Sequence, residues 1–424
     1  MRGQRIVSVA ARRAAWIGGV SLAALLVAGA AGAQEARDTS VLRKIETFGG
    51  APGIELGGFR MSPRLELEGE YDDNLFRTKK NRKDDIVLRA RPSVTIQTDD
   101  WFPVNVTVGA FGEIGRHIQY SGEDYEAFGT SAGLSYELSE EWNFGLNGSA
   151  NRSLQRRGLD GDNLSSEPAI VYAYQVGSSI NYQGDPFAFR FSPLYRRYDF
   201  LDAGSQNNDD RDRQDYILDF RFAYKVGANT TLFVDPSYTW VRYDQRVDDQ
   251  GFNRDSQGYD VRVGVGYDIT SLLYVEAGVG YFHRDYRDPR LSSANGISAL
   301  GRFYWNPTET VSIEGEVTRG ISESDATATG GSSNGAVATS VNLRAGWLAA
   351  DNFLIDTGVG FHLFEYNNGV KRDDRFYTFT LGARYYVNEY LYTGLRYNHE
   401  RRDSNVNSLD YQDNRVMLLI GGQL

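Results

Sequence analysis

Tyr216-Ile217-Leu218-Asp219-Phe220-Arg221-Phe222-Ala223-Tyr224-Lys225-Val226 decides the fold. Tyr216, Leu218, Phe220, Phe222, Tyr224 and Val226 share one phase of a two-residue period, while Asp219, Arg221 and Lys225 share the other. Successive side chains of an extended chain point to opposite faces, so one face lies in an apolar medium and the other in water. The pattern recurs on both sides of this stretch. Ile86, Leu88, Ala90, Val94 and Ile96 alternate with Arg89, Arg91, Ser93, Thr95 and Gln97. Tyr259, Val261, Val263, Val265 and Tyr267 alternate with Asp260, Arg262, Gly264, Gly266 and Asp268, and Tyr377, Phe379, Leu381, Ala383 and Tyr385 alternate with Thr378, Thr380, Gly382 and Arg384. The alternation begins at Phe59, and its last strand carries Val416, Leu418, Ile420 and Leu424 on one face.

Strand centres fall near residues 65, 92, 109, 132, 147, 175, 192, 221, 236, 263, 279, 302, 316, 343, 359, 381, 395 and 418, which makes eighteen. Short turns such as Gly184–Asp185, Gly227–Asn229 and Asn388–Tyr390 alternate with long polar loops such as Asp199–Asp215 and Asp244–Gln257. An even strand number with alternating short turns and long loops is the pattern of an all-β, transmembrane, antiparallel up-and-down β-barrel. Equivalent strands recur at steps of about 40 residues, a period that β-propellers share; a propeller blade would fit four short strands where this chain fits two long ones. Two aromatic girdles are expected: Tyr71, Tyr198, Tyr243, Tyr286 and Tyr366 before long loops, and Trp101, Trp142, Phe187, Trp305, Trp347, Phe353 and Tyr390 beside short turns. Pro63, Pro92, Pro193 and Pro236 lie inside strands and lack a ladder donor, so bulges or gaps in pairing are expected there.

The first 33 residues read as a cleaved signal peptide, with Arg2, Arg5, Arg12 and Arg13, an apolar run from Ala14 to Ala30, and the small-residue site Ala31-Gly32-Ala33. Residues 34–58 form a short polar periplasmic lead, too short to fold as a plug, and residues 59–424 form the barrel. No later apolar run reaches the ~20 residues of a spanning helix. Mean hydropathy is -0.46, which a barrel with a polar inner face explains. The expected location is the outer membrane of a Gram-negative cell, with membrane lipid, lipopolysaccharide and the barrel-assembly machinery as partners.

Net charge is -11, and no basic block exists, so nucleic acid is not an expected partner. The chain contains no Cys, which excludes disulfides and thiolate chemistry. His117, His283, His362 and His399 lie far apart, and neither a G-x-S-x-G nor an H-E-x-x-H motif occurs. The chain therefore reads as a non-enzyme without a cofactor or metal centre. Asp160-Gly161-Asp162-Asn163 is a fragment of a calcium loop without its remaining ligands. The acidic pairs Asp72-Asp73, Asp84-Asp85, Asp209-Asp210, Asp248-Asp249 and Asp373-Asp374 either bridge lipopolysaccharide through divalent cations or keep the loops hydrated.

The polar face carries the candidate site. Arg221, Arg262, Arg302 and Arg344 occupy inward positions on alternate strands, and Asp235, Glu276, Glu316 and Asp356 occupy inward positions on the strands that follow. The spacing predicts Arg221/Asp235 and Arg302/Glu316 opposite one another, and Arg262/Glu276 and Arg344/Asp356 slightly offset. Such rungs stand ~18 Å up the wall, near mid-membrane, at ~3.3 Å per residue and ~40° tilt. Arg89, Arg91 and Arg384 join the pore-lining set. Phe111, Tyr304, Phe364, Tyr386 and Tyr392 also face inward, either as stacking surfaces or as filling. Balanced charges can serve wall structure, and they can select solutes.

Phe59-Arg60-Met61-Ser62-Pro63, Tyr71-Asp72-Asp73-Asn74-Leu75-Phe76, Asp215-Tyr216, Gly258-Tyr259-Asp260 and Trp305-Asn306-Pro307 resemble the outer-membrane beta-barrel porin 2 family over residues 58–424. The Tyr-Asp-Asp-Asn segment is the most specific of these matches. The resemblance implies an outer-membrane porin associated with polysaccharide export, with a periplasmic export protein as partner. Such barrels usually end in an aromatic residue, whereas this chain ends in Leu424, still an apolar group for the lipid. General diffusion of small solutes and a structural or adhesive surface role are the alternatives.

Overall fold

The computed structural model describes residues 40–42, 51–99, 102–155, 157–158, 167, 169–204, 207–322, 335–366 and 372–424. The signal peptide, Trp101 and Asp160–Asn163 lie outside the described residues. After the two-residue β1 (Ile54–Glu55), the barrel runs through β2 (Phe59–Asp72), β3 (Asp85–Thr98), β4 (Val104–His117), β5 (Tyr125–Glu137), β6 (Trp142–Gln155) and β7 (Ala169–Gln183). It continues with β8 (Phe187–Phe200), β9 (Arg213–Lys225), β10 (Thr230–Tyr243), β11 (Ser256–Thr270), β12 (Leu273–Tyr286) and β13 (Ala294–Thr308). It finishes with β14 (Val311–Ser322), β15 (Ala336–Ala350), β16 (Phe353–Tyr366), β17 (Arg372–Tyr386), β18 (Leu391–Ser404) and β19 (Tyr411–Gln423). All eighteen expected centres fall inside β2–β19.

Every barrel strand pairs antiparallel with its sequence neighbours, and β19 pairs with β2 from Arg415↔Asp72 to Gln423↔Arg64, which closes the wall. The ladder therefore has no free edge, as a lipid-embedded sheet requires. Leu67, Leu88, Val263, Leu343 and Leu418 are exposed on the outer face, while Glu68, Arg89, Arg221 and Glu276 are buried on the inner one. Shifting one strand by a residue would put its arginines in hydrocarbon at about 2–4 kcal/mol each near the midplane, which fixes the register.

Three of the four prolines interrupt pairing as expected. The β3–β4 ladder omits Arg91 and Pro92, β7–β8 omits Ser192 and Pro193, and β9–β10 omits Asp235 and Pro236. Pro63 lies just beyond the Gln423↔Arg64 end of the β19–β2 ladder and accepts from the Leu424 N–H through its carbonyl.

The aromatic girdles differ from expectation at the outer rim. Tyr71 faces out, but Tyr198, Tyr243, Tyr286 and Tyr366 fall on the inward phase of their strands. Arg213 stacks over Tyr198 at 4.6 Å and Arg372 over Tyr366 at 4.7 Å, so a polar partner draws these rings inside. The outward rings lie deeper along the strands, as in Tyr195 against Tyr216 at 5.1 Å and Phe361 against Tyr377 at 5.4 Å. At the short turns the expectation holds: Trp305, Trp347 and Tyr390 are exposed, and Phe187 packs on Tyr224 at 5.1 Å.

Candidate functional site

The inward face of β9–β12 builds the first charged assembly. Arg221 donates from Nε and Nη2 to the two carboxylate oxygens of Asp235 at 2.7 and 2.6 Å, and from Nη1 to Glu276 at 3.1 Å. Asp235 lies opposite Arg221, where Pro236 interrupts the ladder. Glu276 is three strands away from Arg221, and absent side chains make that reach possible. Phe233 lies across Gly264 and Gly278, where a Cβ on Gly278 would stand 3.2 Å from its ring. The Arg221 guanidinium stacks 4.2 Å above Phe233 and extends to Glu276, which also accepts from the Tyr274 hydroxyl at 2.9 Å. Arg221, Asp235 and Glu276 are all buried, so each charge depends on the others for the solvation it lost.

The expected partners are rearranged beyond this point. Arg302 is opposite Glu316 in the ladder and 3.3 Å from it, as the spacing predicts. Arg262 does not meet Glu276; it lies opposite Gly280 on one side and Asp235 on the other, 3.8 Å from Asp260. Glu276 lies opposite Arg302 instead. Arg344 does not meet Asp356: Arg344 is opposite Glu314, and Asp356 pairs with Arg396 at 3.5 Å. The ladders pair Arg262 with Gly280 and Arg344 with Gly358, so each of these two turns lies on the C-terminal side of the midpoint of the expected pair.

A second assembly sits on β2–β5. Arg89 bridges Glu68 at 2.6 Å and Glu70 at 2.7 Å and donates to the Tyr125 hydroxyl at 3.0 Å. Arg91 bridges Glu68 at 2.6 Å and Glu113 at 2.7 Å, and Tyr125 donates to Glu113. The alternation placed Arg89 and Arg91 inward but missed their partners. Glu68 and Glu70 were visible on the polar phase of β2, whereas Glu113 stands among glycines and an isoleucine that hide the period of β4. Arg384 packs 5.3 Å from the Tyr392 ring, and the Tyr392 hydroxyl donates to Glu66 at 2.5 Å. Tyr386 and Tyr392 are buried against each other, so these inward rings act as filling.

Three residues of the lead dock inside the barrel. Ser40 donates to Glu314 at 2.8 Å, and the Val41 N–H donates to Ser312 Oγ at 2.7 Å; Ser312 in turn donates to Asn306 at 2.6 Å. A Cβ on Gly346 would stand 2.7 Å from Leu42 Cδ2, so the glycine leaves the space that Leu42 fills. Residues 40–42 are thus buried against the inward wall of β13–β15 near its periplasmic end.

Elsewhere the structure separates the remaining candidates. His117 lies 3.7 Å from Asp124, His283 3.0 Å from Asp285, His362 3.0 Å from Ser340 and His399 2.9 Å from Asn414, each in a different part of the wall. Asp72, Asp73 and Asp413 converge at the outer rim, but Arg77 bridges Asp72 and Asp413 at 3.0 and 3.1 Å and Arg415 binds Asp413 at 3.0 Å. Guanidinium groups take the place a cation would need.

A profile of the beta-barrel porin 2 family matches residues 47–424. No curated protein matches the chain. Among solved structures, the chain is similar to the outer membrane protein OpdK of Pseudomonas aeruginosa, with 13% identity, coverage of 86% of this chain and 99% of that one, and a TM-score of 0.47. It is also similar to Pseudomonas aeruginosa OpdL, with 10% identity, coverage of 87% and 99%, and a TM-score of 0.45. The siderophore receptor PirA of the same organism is 9% identical over 85% of this chain and 80% of its own, with a TM-score of 0.45. An eighteen-stranded closed wall, an apolar outer face and a charged inner one accompany the match over nearly the whole barrel: the chain belongs to the beta-barrel porin 2 family, porin-like barrels of the outer membrane.

Proposed function

We propose that this barrel conducts polar solutes through a lumen narrowed by two ion-pair assemblies. The observation that carries this reading is their placement. Arg89 with Glu68 and Glu113 stands on β2–β4, and Arg221 with Asp235 and Glu276 stands on β9–β12, almost half way round an eighteen-strand wall. Facing charged surfaces on low-dielectric walls focus the field across a passage and sort solutes by charge. The finer reading, supported by the resemblance, is that the solute is a polysaccharide leaving the cell, handed over by a periplasmic export protein. Purified barrel in planar bilayers should give discrete conductance steps; a folded barrel without conductance would favour the structural or adhesive role. Deleting the gene in its host should leave polysaccharide in the periplasm, and unchanged surface polysaccharide would remove the export reading while leaving the channel.

A further inference from the structure

Between the two charged assemblies, the inward wall of β5–β7 changes character. Three adjacent rows read Ser135–Gly145–Ser179, Gly133–Asn147–Gly177 and Ser131–Ser149–Gln175 across the ladder. No ionisable group interrupts them. On β4 the uncharged wall continues through Thr107 and Gly109, and it ends on β8 at Arg190 and Arg196. Exposure also separates these rows from the two assemblies. Arg89, Arg221 and Glu276 are buried, whereas Ser131 and Asn147 are exposed and Ser149 and Gln175 half-buried. In these rows of β5–β7 the inner wall is thus both uncharged and open.

Its hydrogen-bonding groups are also available. Ser131, Asn147, Ser149 and Gln175 make no side-chain hydrogen bond with the described protein. One row further out, Asn151 Oδ1 is buried beside Gly129 and the Phe111 ring and accepts no hydrogen bond. A buried acceptor without a donor is costly, and a ligand hydroxyl can supply that donor. The glycines lower the wall between the amides: a Cβ on Gly177 would stand 3.0 Å from Asn147, and one on Gly145 2.6 Å from Ser179 Oγ. Phe111 adds an apolar ring at the edge of the same surface.

From this juxtaposition of open amides and hydroxyls, recessed glycines and one aromatic ring, we infer that β5–β7 form a binding track for neutral, polyhydroxylated solutes, the chemistry of an uncharged saccharide. Amides and hydroxyls both donate and accept, as sugar hydroxyls do, and the ring covers a sugar's C–H face. Within the three rows a charged oligomer finds no ionic partner to offset the water its charges lose. The inference rests on the channel reading and names its solute class.

The test uses the full-length barrel in planar bilayers with maltohexaose as probe and a galacturonate hexamer as its anionic counterpart. Maltohexaose should interrupt the current in a saturable way, and the galacturonate should do so only at much higher concentration. The double variant Asn147→Leu/Gln175→Leu, shown to be folded by its heat-dependent gel mobility, should raise the half-blocking concentration of maltohexaose by about tenfold or more, as expected when a site loses hydrogen-bonding groups. Equal block by both hexamers, or unchanged block in the double variant, would overturn the track while the channel stands. Conductance with no maltohexaose block would do the same, and absence of conductance would remove both.

Discussion

The side-chain amide of Asn74 donates to the carbonyl oxygen of Gln412 at 2.8 Å, joining the first outer loop to the last strand. Asn74 is fully buried, and its other contacts hold the loop itself: Nδ2 donates to Thr78 O at 2.9 Å, Oδ1 accepts from Thr78 N at 3.0 Å, and its backbone N–H donates to Asp72 at 2.9 Å. Next to it, Asp73 accepts from the backbone and side chain of Asn414 at 2.8 and 2.6 Å. The Tyr-Asp-Asp-Asn segment is thus a clasp over the seam where β2 meets β19.

Replacing Asn74 with Ala should weaken that clasp. The carbonyls of Thr78 and Gln412 lose their donor in a partly buried place, a loss of about 1 kcal/mol. The temperature at which the barrel loses its compact gel mobility should fall, and an unchanged temperature would show that the seam does not depend on this residue.

Two rungs of the charged wall should respond in opposite ways to loss of their arginine. Arg221→Ala strands Asp235 and Glu276 in a buried site, which should lower stability by about 3–5 kcal/mol and reduce the yield of folded barrel. Arg302→Ala should leave folding nearly intact, because Glu316 is 48% exposed. It should instead raise cation selectivity, read as a reversal-potential shift in a salt gradient, and the double replacement of Arg302 and Glu316 should return most of it. Equal selectivity in wild type and Arg302→Ala would assign that rung to wall structure alone.

The inner anchorage of the lead can be read by chemistry, because the chain has no native Cys. Val41→Cys should react slowly with a water-soluble maleimide. Adding Gly346→Leu, which fills the space of Leu42, should speed labelling by about tenfold if the segment then leaves the wall, an opening worth about 1.4 kcal/mol. Fast labelling in the single variant would show that residues 40–42 are not held.

The outer loop before β9 should respond to acid. Burial pushes the Asp212 carboxyl up to about 6, and nearby Asp199, Asp209 and Asp244 add to the rise while the Phe200 N–H opposes it. A carboxyl raised in the folded state favours folding most below its unfolded value, near 3.8, and loses that contribution as pH rises through about 6. Hydrogen exchange over residues 207–212, normalised to an unfolded peptide, should therefore be slower at pH 5 than at pH 7.5. Asp212→Asn should remove the difference; persistence of the difference would point to another group.

The wall was legible because lipid and water impose a two-residue period on every strand, so even weakly apolar strands such as β6 were placed. Arg221/Asp235 and Arg302/Glu316 were legible because position within a hairpin is a local property. Glu276 and Asp356 were not, since their partners stand on strands that spacing along the chain does not relate to them. The tyrosines of the outer rim were misplaced because a ring beside the interface can turn either way, and buried arginines below the loops decided it. The lodging of Ser40–Leu42 depends on a space at Gly346, and a missing side chain leaves no periodic signal.

That β2 and β19 are partners also governs the order of assembly. Each of the other joints links strands that are consecutive in sequence, so it can form while the chain is still arriving. The final joint needs residues 411–423, and it brings together segments separated by almost the entire polypeptide. Until those residues arrive, β2 presents an unsatisfied edge and the sheet stays open. A chain truncated before Tyr411 should consequently persist as an open sheet exposed to chaperones and proteases, however well its remaining hairpins pair.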